Sequence, residues 1–266
     1  MTMRRLEKKD YGLVYELYKD LDYFFPLIVA VLLDEQEGAV FVDHVNSPSM
    51  AYVEHAFGFS QIFGNSSKLN GFLESWTSWL LREKQFRTEK VRLYSPPPSG
   101  SFLTETKSVA LSERQRFYLD PDRFSKQRER SCSNIPADIK GRKLTKDDLD
   151  DIENTFHVVT RFWRNPDDFL EKANPYLITY QNKFASLCYS AATADGYAEI
   201  DVVTLPEYRK LGLARHAVTG FIENCHEAGI CPLWDCFTNN EGSVALAAAV
   251  GFMPRNPPYN FFTINK

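Results

Sequence analysis

The chain is poor in the features that mark several protein classes. Its five cysteines (Cys132, Cys188, Cys225, Cys231 and Cys236) are odd in number and lack metal-type spacing. This argues against a disulfide framework or a metal site and for reduced thiols in a cytoplasm. Cys231 and Cys236 flank a strand-like Pro-Leu-Trp-Asp and read as core or strand-end packing. The longest apolar run, Phe24 to Leu33, is too short to span a bilayer, and the first ten residues lack the apolar centre of a secretory signal. Neither sign of charge dominates. With 31 Lys and Arg against 35 Asp and Glu the formal net charge is −4, so there is no electrostatic footprint for nucleic acid. What is present is a 44% hydrophobic and 14% aromatic chain of 266 residues. That is enough to fill the core of one large domain or of two of about 130 residues.

The most informative stretch runs from Glu199 to Ala214. Ile200 to Thr204 is apolar and rich in β-branched residues, which predicts a buried strand. Pro206 ends it, because proline cannot donate to a ladder. Arg209-Lys210-Leu211-Gly212-Leu213-Ala214 then leads directly into a helical pattern lasting to about Glu227. A short loop between a strand and a helix N-terminus is suited to an anion. The first-turn N–H groups lack partners, the helix dipole favours negative charge, and glycine lets a ligand approach the backbone closely.

In this context the six residues Arg209 to Ala214 resemble the Arg/Gln-x-x-Gly-x-Gly/Ala signature of the GCN5-related N-acetyltransferases, the GNAT superfamily. A second match follows: Asn239, then Ser243 through the alanine-rich segment to Gly251-Phe252 resembles the family's Asn…Ala…Gly-Phe helix. Two motifs in the right order carry the resemblance, which extends less sharply over 135–266. It implies acetyl-CoA as co-substrate. By resemblance, Val202, Val203 and Thr204 would hydrogen-bond the pantetheine arm and acetyl carbonyl. Arg209, Lys210, Leu211, Gly212, Leu213, Ala214 and Arg215 would wrap the pyrophosphate, and Asn239 and Ser243 would lie beside the cofactor arm. Arg215 reads equally as a solvated helix face, and Asn239 equally as a cap or turn residue.

The C-terminal half parses as an α/β fold with a mixed sheet, in the order ααβββαβαβ of the GNAT acyltransferases. Thr145 with Asp147 and Asp148 predicts a helix start, and Asn165-Pro166 a second. Tyr176 to Tyr180 and Phe184 to Ala191 read as a hairpin, and Asp195-Gly196 as a turn into Tyr197 to Thr204. Leu233 to Cys236 and Phe261 to Ile264 read as strands, and Gly251 as a helix stop. The N-terminal half reads as helix over 1–22, apolar segment Leu27 to Leu33, and paired strands Ala39 to Val45 and Ala51 to Phe59. A helix from Leu69 to Glu83 and strands Val91 to Tyr94 and Gln115 to Leu119 follow. No Arg-x-x-Gly-x-Ala occurs there, and Gly64-Asn65-Ser66-Ser67 is an ordinary loop rather than a phosphate loop. The expected organisation is an α/β domain over 1–125, either a degenerate GNAT-like duplicate or an unrelated lid. A linker over 120–136 then leads to a GNAT domain over 135–266.

Amine acetylation also needs a base. Glu199 and Asp201 share one face of the strand, near the family's base glutamate, and Glu199 is the candidate. Counted back from Thr204, however, Ala198 takes that position unless a β-bulge intervenes. His157 and His216 are further titratable candidates. Many family members carry an acid tyrosine four residues before the Gly-Phe glycine, where this chain has Ala247. The CoA thiolate then leaves unassisted, as its modest pKa permits, or another tyrosine such as Tyr259 enters. The reading is an acetyl-CoA-dependent N-acetyltransferase acting by direct transfer on a small-molecule amine or other acceptor, with no metal, nucleic acid or membrane partner and with an oligomer not excluded. The alternatives are a CoA-binding module without catalysis and an acyltransferase using another acyl-CoA.

Overall fold

The structure, a computed structural model, describes residues 3–65, 67, 69–83, 88–97, 103, 106–132 and 137–266. Its elements in chain order are β1 (Arg4–Arg5), α1 (Tyr11–Tyr18), α2 (Pro26–Leu32), β2 (Gly38–Val42), β3 (Met50–His55), β4 (Phe59–Gly64), α3 (Leu69–Thr77), β5 (Lys90–Ser95) and β6 (Val109–Leu119). There follow α4 (Pro121–Cys132), β7 (Ile139–Lys143), α5 (Leu149–Phe156), α6 (Pro166–Lys172), β8 (Tyr176–Tyr180), β9 (Lys183–Ala194) and β10 (Tyr197–Thr204). The chain ends with α7 (Leu213–Glu227), β11 (Cys231–Phe237), α8 (Glu241–Ala249), β12 (Phe252–Pro254) and β13 (Tyr259–Asn265). Two compact units form. One is Met1–Arg114 with Pro258–Lys266, the other Gln115–Pro257. The boundary therefore falls inside β6, not at 125–135.

In the first unit β1, β2, β3 and β4 pair antiparallel in sequence, and β5 joins β4 parallel. β13 lies antiparallel to both β5 and the first part of β6. The core on one face gathers Tyr52, Phe72, Trp76, Leu80, Leu93 and Phe262. In the second unit β7 through β10 pair antiparallel in sequence, and β11 joins β10 parallel. The end of β6 lies next to β11, with β12 on it. The order β-α-α-β-β-β-α-β, with the same pairing senses, thus occurs twice.

Helix α7 closes the second core. Ala217, Val218, Phe221, Ile222 and Cys225 make one apolar stripe, and they pack with Ile178, Cys188, Ala198 and Trp234. Two tight hairpins set the register beneath it. Gln181 and Asn182 (φ 50° and 61°) and Asp195 and Gly196 (φ 50° and 76°) take left-handed conformations that suit the strand twist.

Several expectations need correction. Residues 1–22 are not one helix: β1 pairs with β2, and a 3-10 turn precedes α1. A further strand, β4, follows Gly58, whose φ of 88° turns the chain back after β3. The linker expected over 120–136 is helix α4 over Pro121–Cys132, with proline at the first position where its missing N–H costs nothing; 133–136 lie outside the described residues. Strand β7, charged and mostly exposed, has no apolar alternation to announce it. The predicted last strand is present, but pairs in the first unit.

Two consequences are measurable. A Cβ on Gly220 of α7 would meet the Tyr176 ring at 2.3 Å, whereas one on Gly12 of α1 would meet nothing within 4 Å. Gly220→Ala should lower the unfolding free energy by about 1–3 kcal/mol, and Gly12→Ala should raise it by about 0.5–1 kcal/mol, both read by urea denaturation. Asp148 completes a capping box with Thr145, and Arg142 grips its carboxylate at 2.5 and 2.6 Å. That guanidinium, more than any other neighbour, holds the Asp148 carboxyl well below the usual carboxylate range. A depressed folded value means the stabilisation is present above the unfolded pKa of about 3.9 and is lost as pH falls through the folded value. Asp148→Asn should cost about 0.5–2 kcal/mol at pH 7, with the gap to wild type narrowing below about pH 4.

Candidate functional site

After β10 the chain makes a 3-10 turn over Pro206–Tyr208 and reaches Lys210 (φ 65°) and Gly212 (φ 78°), both left-handed. Non-glycine residues rarely adopt this conformation. It turns the amides of Lys210, Leu211, Gly212, Leu213 and Ala214 away from their neighbours, and among the described residues none of the five has an acceptor. They lie at the start of the 15-residue helix α7, whose dipole adds positive potential. A Cβ on Gly212 would meet nothing within 4 Å, so the loop faces open space. Exposed backbone donors concentrated at a helix start make an anion cradle.

The charged side chains of the loop behave differently from one another. Arg209 is exposed and folds back so that its Nε donates to the Thr204 carbonyl at 3.3 Å. Lys210 is exposed, as is Leu211 at 48%. Arg215 turns instead to α4, where its Nη2 donates to both Gln127 oxygens at 3.1 Å. Beside it, burial and then the Arg215 charge lower the His216 pKa, so this imidazole is neutral at pH 7. His157 is an exposed left-handed residue at the C-cap of α5.

The loop opens onto a gap between two strands. The parallel ladder of β10 and β11 joins Tyr197 to Cys231, Ala198 to Pro232 and Glu199 to Leu233. Beyond Glu199, among the described residues, the two strands continue to Thr204 and Phe237 without pairing to each other. On its other edge β10 stays paired with β9, through Val202–Cys188, Val203–Leu187 and Thr204–Ser186. The Ser186 hydroxyl lies 2.8 Å from that of Thr204 and donates to the Val203 carbonyl at 3.0 Å. One edge of Val202, Val203 and Thr204 is therefore pinned while the other faces the gap. Helix α8 borders the gap after β11. Its cap is Asn240, whose side chain accepts from the Ser243 N–H at 3.2 Å. Asn239 does not act as the cap; it is exposed and has no partner among the described residues. The Ser243 hydroxyl accepts from Trp234 Nε1 at 3.1 Å and ties α8 to β11.

Alternation along three neighbouring strands sorts the side chains. Phe117 of β6, Trp234 and Cys236 of β11, and Ala198, Ile200 and Val202 of β10 join the α7 core. The residues between them, Arg116, Asp235 and Glu199, point to the opposite face. There Arg116 lies between two carboxylates, its Nε 3.2 Å from Asp235 and its Nη1 and Nη2 3.5 and 3.4 Å from Glu199. All three side chains are at most 6% exposed. Asp201, two residues on, is less buried; it accepts from the Tyr189 hydroxyl at 2.7 Å and lies 3.5 Å from Arg161. Burial, then the Asp201 charge, pushes the Tyr189 hydroxyl pKa well up.

The β-bulge needed to shift the register falls beside Glu199, between partners Ala192 and Ser190. Its extra residue, Ala191, is on β9, so the alternation along β10 is unbroken: Glu199 keeps its own face, and Ala198, not Glu199, keeps the position counted back from Thr204. Ala247 is fully buried in the α7 core, and Tyr259 is packed among Tyr23, Phe25 and Tyr94 in the first unit; neither is placed as an acid. Arg116 and Asp235 went unread in the sequence. Their only signal is a charged residue between apolar ones, in Arg116-Phe117 and Trp234-Asp235-Cys236. Among the described residues no group of His, Cys, Asp and Glu is placed to hold a metal, and no helix is long and apolar enough to cross a membrane.

Comparison with known proteins identifies the family and the fold. The GNAT acetyltransferase family model matches residues 24–262. The uncharacterized N-acetyltransferase YdfB of Bacillus subtilis (strain 168) is 28% identical over 259 residues, 94% of this chain and 95% of YdfB. Among solved structures, a GCN5-related N-acetyltransferase-like protein from Streptococcus suis 89/1591 has a TM-score of 0.70 at 18% identity, covering 97% of this chain and 99% of that one. A tandem GNAT protein from the clavulanic acid biosynthesis pathway has a TM-score of 0.62 at 14% identity, covering 99% and 98%. With the family model spanning both units and a solved fold of the same kind over nearly its whole length, the chain belongs to the GNAT acetyltransferase family and is an N-acyltransferase.

Proposed function

We propose that the enzyme moves an acetyl group from acetyl-CoA to an amine in the cytoplasm, by direct transfer at the second unit. The observation that carries this reading is the gap between β10 and β11, which runs from the unpaired amides of Lys210–Ala214 to Glu199. A pyrophosphate on those amides leaves the pantetheine to follow β10 backwards past Thr204, Val203 and Val202, at about 3.3 Å per residue. The thioester end then arrives where the ladder closes. Arg209 and Lys210 add cations at the pyrophosphate, Leu211, Leu213 and Ala214 supply loop and first-turn backbone, and Asn239 and Ser243 flank the arm. Arg215, engaged with Gln127, orients the α7 start against α4.

The co-substrate supplies an activated carbonyl. Glu199 takes the proton of the acceptor ammonium, the amine nitrogen bonds to the carbonyl carbon, and the carbon–sulfur bond breaks with the electron pair leaving on sulfur. With Ala247 in the core, no side chain of α8 protonates the thiolate, which leaves as the anion and then takes up the second proton shed by the bonded nitrogen. The first unit repeats the element order but has Gly64-Asn65-Ser66-Ser67 at the end of β4, with Ser66 outside the described residues. We read it as a GNAT-like repeat without a cofactor loop.

Titration calorimetry on the full chain should give one CoA per chain; two would place a second site in the first unit. Gly212→Glu should weaken CoA binding tenfold or more, by setting a carboxylate where the anion binds. Near-native affinity in this variant would remove the loop as the phosphate site. Glu199→Gln should keep CoA affinity and lower acetylation by about 10²–10⁴-fold, measured on an amine panel. Wild-type turnover from about pH 6 to 9, around the working range of a general base, would exclude Glu199.

A further inference from the structure

The second unit holds a buried charge arrangement that the cofactor gap does not need. Arg116, Asp235 and Glu199 stand on the adjacent strands β6, β11 and β10, on the face turned away from α7. One guanidinium serves two carboxylates, through Nε to Asp235 at 3.2 Å and through Nη1 and Nη2 to Glu199 at 3.5 and 3.4 Å. The Arg116 and Asp235 side chains are 2% and 0% exposed, and Glu199 is 6% exposed. Arg116 is further fixed by its own strand: Gln115 Nε2 donates to the Arg116 carbonyl and to that of Asn256, both at 2.8 Å. Glu199 is also the last residue of β10 that pairs with β11.

We propose that Arg116 is a positioning residue for acyl transfer. It holds the Glu199 carboxylate ionised and oriented at the closed end of the gap, with Asp235 keeping the guanidinium in place. The inference rests on the reading of Glu199 as the base. Its physical content is separate from that reading. A buried carboxylate without a cation resists ionisation and cannot take up a proton, because desolvation penalises its charged form. With a guanidinium beside it, it stays an anion. Two anions sharing one cation carry a formal charge of −1, so the cluster accepts a proton more readily than a neutral pair would. The proton released by an acceptor ammonium therefore has a place to go inside a water-poor site. Next along the same face of β10, Asp201 accepts from the Tyr189 hydroxyl at 2.7 Å and lies 3.5 Å from Arg161.

The test compares wild type, Arg116→Lys and Arg116→Met as full chains. The readouts are carboxylate titration by ¹³C NMR of glutamate- and aspartate-labelled protein, and the pH profile of acetyl transfer from acetyl-CoA to spermidine, lysine or a peptide α-amine. In Arg116→Met the Glu199 titration should move up by about one to three pH units, and the acidic limb of kcat should move with it, while KM for acetyl-CoA changes less than about threefold. Arg116→Lys should restore part of both shifts. If Arg116→Met does not fold, Arg116→Met with Asp235→Asn removes one charge of each sign, and the same upward movement is expected. A Glu199 titration that stays in place, or a kcat profile that superimposes on wild type while Glu199→Gln is slow, would overturn the role of Arg116. Glu199→Gln at wild-type turnover would instead remove the base itself, whatever the titration of the Arg116 variants shows.

Discussion

A β-ladder that stops after three residue pairs leaves the facing backbone groups of its two strands unpaired to each other beyond that point. Each such group costs on the order of 1–3 kcal/mol if it is also kept from water. β10 and β11 do not pair with each other beyond Glu199 and Leu233, and among the described residues the loop Lys210–Ala214 adds a row of amides without acceptors at the start of α7. Backbone polarity left open in a line, along one strand and around one helix start, is a template for an extended ligand with an anionic end. The side chains nearby can vary widely, because the contacts are with peptide groups. This fits a chain that keeps the family's architecture at 18% identity to a solved neighbour.

The remaining features of the second unit hold that line still. Ser186 grips Thr204 and Val203 from the β9 side, Trp234 fastens α8 through Ser243, and Gln127 fastens Arg215 at the first turn of α7. The Arg116 cluster braces three strands from the opposite face. Buried ion clusters are costly to form, and breaking one by removing a partner is typically worth about 3–5 kcal/mol. A purely structural role would be served as well by apolar side chains. Here the cluster sets one cation and two carboxylates, rather than apolar side chains, where the ladder ends.

Local elements were legible wherever a short-range rule decides them. The hairpin turns at Gln181–Asn182 and Asp195–Gly196, the helix start at Asn165-Pro166, the helix start at Thr145 and the glycine stop after α8 each depend on a few adjacent residues. The strand–loop–helix around Gly212 was legible for the same reason: its strand, its left-handed Gly212 and its helix are contiguous. What failed locally were elements held by partners elsewhere. β1 and β7 are short and charged and exist only because β2 and β8 are beside them. α4 was hidden by a charged, proline-led sequence that reads equally as a tether. The bulge beside Glu199 was anticipated, but which strand carries its extra residue depends on how Ala191 of β9 meets β10.

The sequence alone determined the family, the strand–loop–helix at Gly212 and the face on which each β10 side chain lies, because motif spacing and strand alternation are set residue by residue. Only the tertiary structure decided which strands are neighbours. β6, read as part of the N-terminal half, ends beside β11, and β13, read as the last strand of the C-terminal half, completes the first unit. A strand's alternation states which side is buried but not which edge it will meet, since ladder hydrogen bonds use backbone groups common to every residue. For that reason Glu199 could be named from the sequence, and the arginine that holds it, 83 positions away, could not.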